Sequence, residues 1–74
     1  MTLKELRQSM NLRLVDIAKG ANMSTTYYSH IERCMRYPNL VVIERLAKAY
    51  KLDRMIIINA LYEQLNITRS TKGE

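Results

Sequence analysis

Apolar residues recur every three or four positions from Leu3 to Leu65, and this spacing constrains the fold more than any other feature of the sequence. It is the spacing of helices with one buried face, and no segment alternates polar and apolar residues as a half-buried strand does. Only two glycines and one proline interrupt the 74 residues. We therefore expect an all-α fold, a compact five-helix bundle, because a chain of this length has room for one core. The domain is predicted at residues 1–66, and residues 67–74 are predicted to form a flexible polar tail.

Start and stop signals place the first two helices. Thr2 followed by Glu5 three residues later forms a capping box for the first helix, which is predicted to end near Asn11. The second helix is predicted at residues 14–21. It stops at Asn22, because asparagine tolerates the left-handed backbone conformation better than most residues do.

The other three helices follow short loops. Ser24 is the predicted N-cap of the third helix, which runs to about Cys34. Pro38 ends the next loop and precedes a fourth helix, whose predicted inner stripe consists of Leu40, Ile43, Leu46, Ala47 and Tyr50. Asp53 is the predicted N-cap of a fifth helix at residues 54–66.

The fifth helix carries more apolar residues than one buried stripe needs: Met55, Ile56, Ile57, Ile58, Ala60, Leu61, Tyr62 and Leu65. Large apolar patches rarely stay open on soluble monomers, so the excess predicts a homodimer. The predicted interface consists of Met55, Ile56, Tyr62 and Leu65. The alternative is that the helix is simply well buried within its own subunit.

The charge balance favours a polyanionic partner. Twelve Lys and Arg residues against seven acidic residues give a net charge of +5, which attracts nucleic acid or an acidic membrane surface. Cys34 has no second cysteine to pair with, and with the lone His30 it cannot supply the four ligands of a structural zinc site. We therefore expect no metal and no cofactor. Because no apolar run is long enough to span a bilayer, we expect a cytoplasmic protein without a membrane partner.

The segment from Leu14 to Arg33 has the spacing of a DNA-binding helix-turn-helix. Two helices that cross steeply need a small residue where they touch, and Ala18 supplies it. Asn22 allows the sharp turn, and apolar residues such as Tyr28 anchor the second helix from below. The opposite side of that second helix is then open to DNA.

The chain from LKELRQSMNLRLVDIAKGANMSTTYYSHIERCMRYPNL through IERLAKAYKL resembles the phage-repressor type of helix-turn-helix domain, the XRE or Cro family. The resemblance covers about residues 3–62. Its most specific pieces are LKELR, DIAKGANMS, SHIER, the loop at Pro38 and LAKAYKL. It implies a lambda-repressor-like domain of prokaryotic or phage origin that regulates transcription. The implied function is repression by a homodimer that binds a palindromic operator on nucleoid DNA, with its third helix in the major groove.

The resemblance also implies roles for individual residues. The positions on the outer side of the third helix that contact base edges are Thr25, Thr26, Ser29 and His30. Contacts to the DNA backbone are implied for Arg13, Ser24, Tyr27, Arg33, Arg36 and Tyr37. Arg7 and Glu32 match an ion pair between the first helix and the end of the third.

Four positions depart from the pattern of that family. Leu14 replaces a glutamine that often bonds a phosphate, and Thr25 replaces a longer polar side chain. Asn22 and Cys34 stand where glycine is usual. The shorter Thr25 implies fewer two-pronged base contacts, and therefore greater reliance on dimerisation and phosphate contacts.

Three other functions compete with repression. The same domain can serve as the antitoxin of a toxin pair. Its fifth helix would then bind the toxin, a protein antagonist or partner, instead of a second copy of the chain. It can also be a protein-interaction module that no longer binds DNA, a reading favoured by Leu14 and the apolar fifth helix. An enzyme is not expected, because no paired carboxylates, nucleophile and base, or glycine-rich phosphate loop is visible.

Overall fold

The computed structural model describes backbone and side chains for residues 1–66 and the helical backbone through Gly73. The described residues contain no strand and fold into α1 (Leu3–Ser9), α2 (Leu14–Gly20), α3 (Thr25–Glu32), α4 (Leu40–Tyr50) and α5 (Arg54–Gly73). The all-α, five-helix architecture is therefore confirmed. α5 continues beyond residue 66, where the sequence predicted its end. The predicted flexible tail at 67–74 lies outside the fully described residues and stays a prediction.

Three of the helices, α1, α3 and α5, begin at the capping residues that the sequence indicated. The Thr2 hydroxyl accepts the Glu5 N–H at 3.2 Å, and the Glu5 carboxylate accepts the Thr2 N–H at 2.9 Å, which completes the capping box. Ser24 accepts the N–H three residues along α3 at 3.1 Å. Asp53 accepts a backbone N–H in the first turn of α5 at 2.8 Å. Each cap satisfies a donor that the helix itself leaves without a partner.

Four residues other than glycine hold the left-handed backbone conformation at the ends of helices. Asn22, between α2 and α3, has a φ of 59°, as its predicted turn requires. Cys34, just after α3, has a φ of 61°, and Asn11 and Lys51 have φ values of 57° and 58°. Asparagine adopts this conformation at low cost, whereas a cysteine or lysine costs roughly 1 kcal/mol more than glycine. These residues let α1 to α4 end abruptly and keep the loops short.

Each of the five helices contributes to one core. Its buried residues are Leu3, Ile17, Ala18, Ala21, Tyr28, Ile31, Leu46, Ala47, Tyr50, Ile57 and Ala60. The predicted inner stripe of α4 was wrong at Leu40, which is 59% exposed. Leu40 is the first residue of α4, and the packing of this helix against the core begins only with Val42 and Ile43.

The end of α2 packs closely on α4. A Cβ atom at Gly20 would lie 3.1 Å from the Cβ of Ala49, so the absence of a side chain lets the two helices approach. Ala18 and Ala21 are buried on the same helix-turn-helix unit. This packing holds α2 against the body of the domain and so supports α3, which follows it directly.

Candidate nucleic-acid interface

α3 has one buried face and one open face. Tyr28 and Ile31, three residues apart, are completely buried in the core. The opposite side carries polar residues that are exposed or half-buried: Thr25, Thr26, Ser29, His30 and Arg33. Within residues 1–66, no other group hydrogen-bonds the side chains of Thr25, Thr26 and His30. Their donors and acceptors therefore point to solvent and can bond an external partner.

The N-terminal end of α3 is shaped by Ser24 and Tyr27. The Ser24 oxygen accepts the Tyr27 N–H, which leaves the hydroxyl hydrogen of Ser24 able to donate to an outside acceptor. Tyr27 is half-buried and packs against the edge of the core. A helix N-terminus also concentrates backbone N–H groups and positive partial charge. This end of α3 is suited to an anionic group.

Arg13 is already engaged in an ion pair at the start of α2. Its Nε lies 3.2 Å from one Asp16 carboxylate oxygen and its Nη2 lies 3.1 Å from the other. The same carboxylate accepts the Arg13 backbone N–H at 2.9 Å. These contacts lower the pKa of Asp16, with the guanidinium hydrogen bonds as the largest cause. The ion pair of Asp16 with Arg13 was not predicted from the sequence, although the three-residue spacing of the two side chains indicates it.

The loop after α3 carries three further predicted residues, and all of them are exposed: Arg33, Arg36 and Tyr37. The left-handed conformation of Cys34 reverses the chain directly after α3 and starts this loop. Cys34, Arg36, Tyr37 and Pro38 line one side of a cavity of about 260 Å³, and α5 lines the other. The loop thus lies between α3 and α5.

A partly buried ion pair joins α1 to the last residue of α3. Arg7 Nε lies 2.6 Å from one Glu32 carboxylate oxygen, and Arg7 Nη2 lies 3.3 Å from the other. The third nitrogen, Nη1, donates to the Leu12 carbonyl oxygen at 3.0 Å. The two side chains are only 12% and 5% exposed, so water screens the pair weakly. The hydrogen bonds to Glu32 are the main reason that the pKa of Arg7 is raised.

Two core tyrosines hydrogen-bond each other through their hydroxyl groups: Tyr28 of α3 and Tyr50 of α4. Burial raises the pKa of both, that of Tyr50 to about 12. Both rings were predicted from the sequence to lie in the core, but the hydrogen bond between them was not. The composition indicates such a contact, because the chain contains five tyrosines and no phenylalanine or tryptophan. Every aromatic ring in the core therefore carries a hydroxyl group that needs a hydrogen-bond partner.

The predicted dimer residues fall on two different parts of α5. Tyr62 and Leu65 line the 260 Å³ cavity beside the loop after α3. Ile56 instead lines a second cavity of about 160 Å³ with Met1 and Leu6 of the α1 side. Met55 and Tyr62 are exposed and seven residues apart, so they project from the same side of α5. Ile56 therefore faces a different cavity from Tyr62 and Leu65.

Gln64 is a buried polar residue that the sequence analysis passed over. It is 6% exposed and faces the core side of α5 together with Ile57 and Ala60. No buried side-chain nitrogen or oxygen among the described residues lacks a hydrogen-bond partner, and the Gln64 amide makes two hydrogen bonds. A polar residue on an otherwise apolar face of the predicted helix was the available signal.

Across residues 1–66, no three His, Cys, Asp or Glu side chains converge as metal ligands would. None of the helices in the described part of the chain combines the length and apolar character needed to cross a bilayer.

Comparison with known proteins gives the family. A family profile described as helix-turn-helix matches residues 3–57, which include all of α1 to α4. The chain is 46% identical over 48 residues to the HTH-type transcriptional regulator DdrOP3 of Deinococcus deserti. That alignment covers 65% of this chain but only 37% of the relative. No solved structure matches the chain. The matched segment, with α2 and α3 joined at Asn22, shows that the chain belongs to the XRE family of helix-turn-helix proteins.

Proposed function

We propose that this protein is a sequence-specific, DNA-binding transcriptional regulator that represses by occupying a palindromic operator as a homodimer. α3 lies in the major groove, and the protein acts in the cytoplasm on nucleoid DNA. The observation that supports the proposal is the open polar face of α3, whose opposite face is fixed in the core by Tyr28 and Ile31. Family membership and the regulator named among its relatives support DNA binding and transcriptional control.

The open face of α3 has the chemistry that base edges require. The hydroxyls of Thr25, Thr26 and Ser29 donate or accept hydrogen bonds, and the threonine methyl groups can pack on the C5-methyl of thymine. His30 offers a donor and an acceptor at its two ring nitrogens. Because these side chains are short, α3 must approach the base pairs closely, and the capped N-terminus of the helix favours that approach.

Contacts to the DNA backbone would flank the base contacts. Ser24 and Tyr27 stand at the start of α3, and Arg33, Arg36 and Tyr37 follow its end. Arg13 would exchange its exposed Asp16 partner for a phosphate, because an exposed ion pair holds its members weakly. These groups position the domain along the duplex, whereas the face of α3 selects the sequence.

Dimerisation would use the exposed apolar side chains of α5. Tyr62 is 65% exposed and stands beside a cavity that Leu65 helps to line, so a second copy related by a twofold axis can bury both. Met55 projects from the same side, and Ile56 would lie toward the edge of the interface. A dimer of this kind would present its two α3 helices to half-sites about 34 to 36 Å apart.

Selection of bound sites from random duplex DNA tests the proposal most fully. We expect an enriched sequence with twofold symmetry, whose half-sites are separated by about one helical turn. With six to ten phosphate contacts, the logarithm of the association constant should fall with the logarithm of salt concentration with a slope of about −5 to −9. No enrichment and a flat salt response would reject the proposal.

A second candidate function is that of an antitoxin, in which α5 binds a toxin instead of a second copy. The exposed Met55 and Tyr62 favour a protein partner at α5, whichever protein that is. Sedimentation of the purified chain separates the two candidates. A dimer supports the repressor, whereas a monomer at concentrations well above those needed for DNA binding supports a different partner.

A further inference from the structure

Gln64 links three helices through its side-chain amide. Its Oε1 accepts the backbone N–H of Leu3, the first residue of α1, at 3.1 Å. Its Nε2 donates to the backbone carbonyl of Ile31, in the last turn of α3, at 2.9 Å. Both hydrogen bonds are buried. Gln64 lies outside residues 3–57, the segment that the family profile matches.

Both partners of Gln64 are groups that a helix cannot satisfy internally. The first N–H groups of α1 and the last carbonyl groups of α3 have no partner within their own helices. The Ile31 carbonyl also accepts the Cys34 N–H at 3.2 Å. The Cys34 thiol donates to the backbone carbonyl of Gln64, with 3.9 Å between sulfur and oxygen. The junction where α3 ends is therefore tied to α5 by two hydrogen bonds, both of which involve Gln64.

We propose that Gln64 is a positioning residue for DNA recognition, which fixes the C-terminal half of α3 relative to α1 and α5. The inference rests on the proposed function, because it assumes that the open face of α3 reads base pairs. Ser29 and His30 lie within two residues of Ile31, so a shift at the Ile31 carbonyl moves the proposed base contacts directly. A second effect follows for the dimer, because Gln64 lies between Tyr62 and Leu65 on the helix proposed to join the subunits.

A purely structural role would give a different result. If Gln64 only stabilised the fold, its replacement would lower the fraction of folded protein and weaken binding to all DNA equally. If it positions α3, the folded protein keeps its affinity for arbitrary DNA, which depends on phosphate contacts, and loses preference for its selected site. The ratio of the two affinities, measured on folded protein, separates these cases.

Two substitutions separate the two ends of the link. Gln64→Met keeps the length of the side chain and removes both hydrogen bonds. Gln64→Glu keeps the acceptor for the Leu3 N–H and places an ionised carboxylate oxygen against the Ile31 carbonyl, so it replaces the contact to α3 with a repulsion between two acceptors. Gln8→Met, at an exposed position on α1, is the matched control for the same chemical change.

The test measures binding of all four proteins to the selected site and to unrelated duplex DNA, under conditions where circular dichroism shows each to be folded. We expect Gln64→Met and Gln64→Glu to lower the affinity for the selected site about tenfold and to change the affinity for unrelated DNA by no more than about twofold. Gln8→Met should leave both affinities unchanged. If Gln64→Met does not fold, the ratio of affinities is compared between Gln64→Glu and the unsubstituted protein. An unchanged ratio in the folded variants would overturn the proposal. Absence of any preferred site for the unsubstituted protein would instead reject the proposed function.

Discussion

The Glu32 carboxylate, at the last residue of α3, takes two nitrogens of the Arg7 guanidinium from α1, the shorter contact being 2.6 Å. Arg7 also bonds the Leu12 carbonyl with its remaining nitrogen. The pair therefore fixes the end of α3 to the first helix and to the loop that follows it. Arginine is suited to this role because its planar group has several fixed donors.

Breaking this ion pair should destabilise the fold. Arg7→Met leaves Glu32 charged and nearly buried, and we expect the free energy of unfolding to fall by roughly 2–4 kcal/mol in urea titrations. Arg13→Met is the control, because it breaks an ion pair of the same kind that is exposed, and it should leave the unfolding free energy unchanged. Equal effects of the two substitutions would show that burial of the Arg7 pair contributes nothing.

The hydrogen bond between Tyr28 and Tyr50 should give non-additive results. Either single change to phenylalanine removes the bond between the two buried hydroxyls and should cost about 1–2 kcal/mol. The double substitution removes both hydroxyls and should cost less than the two single changes combined. Tyr37→Phe, at an exposed tyrosine, should have no effect. Additive losses in thermal or urea unfolding would contradict a direct bond between the two hydroxyls.

The same tyrosines should make stability fall at high pH. Burial raises the folded-state pKa of both above the unfolded value of about 10, that of Tyr50 to about 12, so the folded state holds these protons more tightly. Their stabilisation is fully present below about pH 10 and is lost as the pH rises through the folded values. Between about pH 10 and 12, the free energy of unfolding should fall less steeply for the variant with phenylalanine at both positions than for the unsubstituted protein. Identical declines would contradict the prediction.

A charge introduced at α5 should separate the proposed dimer. Tyr62→Asp would bury an unpaired carboxylate in the interface, so we expect monomers by analytical ultracentrifugation and a loss of operator affinity of about tenfold or more. Affinity for a single half-site should be retained. Val41→Asp makes a comparable change at an exposed apolar residue of α4 and serves as the control. Dimers that persist in Tyr62→Asp would place the interface elsewhere.

The sequence was sufficient for features that depend on neighbouring residues. The Thr2 and Glu5 capping box and the turn at Asn22 follow from local chemistry, and both are present. The open face of α3 also follows from spacing, because residues three and four apart share one side of a helix.

Features that join distant helices could not be predicted in this way. Tyr28 and Tyr50 are 22 residues apart, and Gln64 is 61 residues from Leu3, so periodicity within one helix says nothing about these contacts. Gln64 was overlooked because a polar side chain on an amphipathic helix is normally exposed, and its burial depends on two helix ends that meet there. Leu40 was placed inside because the pattern does not show where the core ends.

If the open face of α3 selects the DNA sequence, as proposed, alanine substitutions on that face should reduce the preference for the selected site. Thr26→Ala and His30→Ala should each weaken binding to the selected site by about 1–3 kcal/mol in fluorescence anisotropy titrations, with unfolding curves and affinity for unrelated DNA unchanged. Lys48→Ala, which removes an exposed side chain from α4, should leave the preference intact. If both α3 variants bind the selected site as the unsubstituted protein does, this face of α3 does not read DNA.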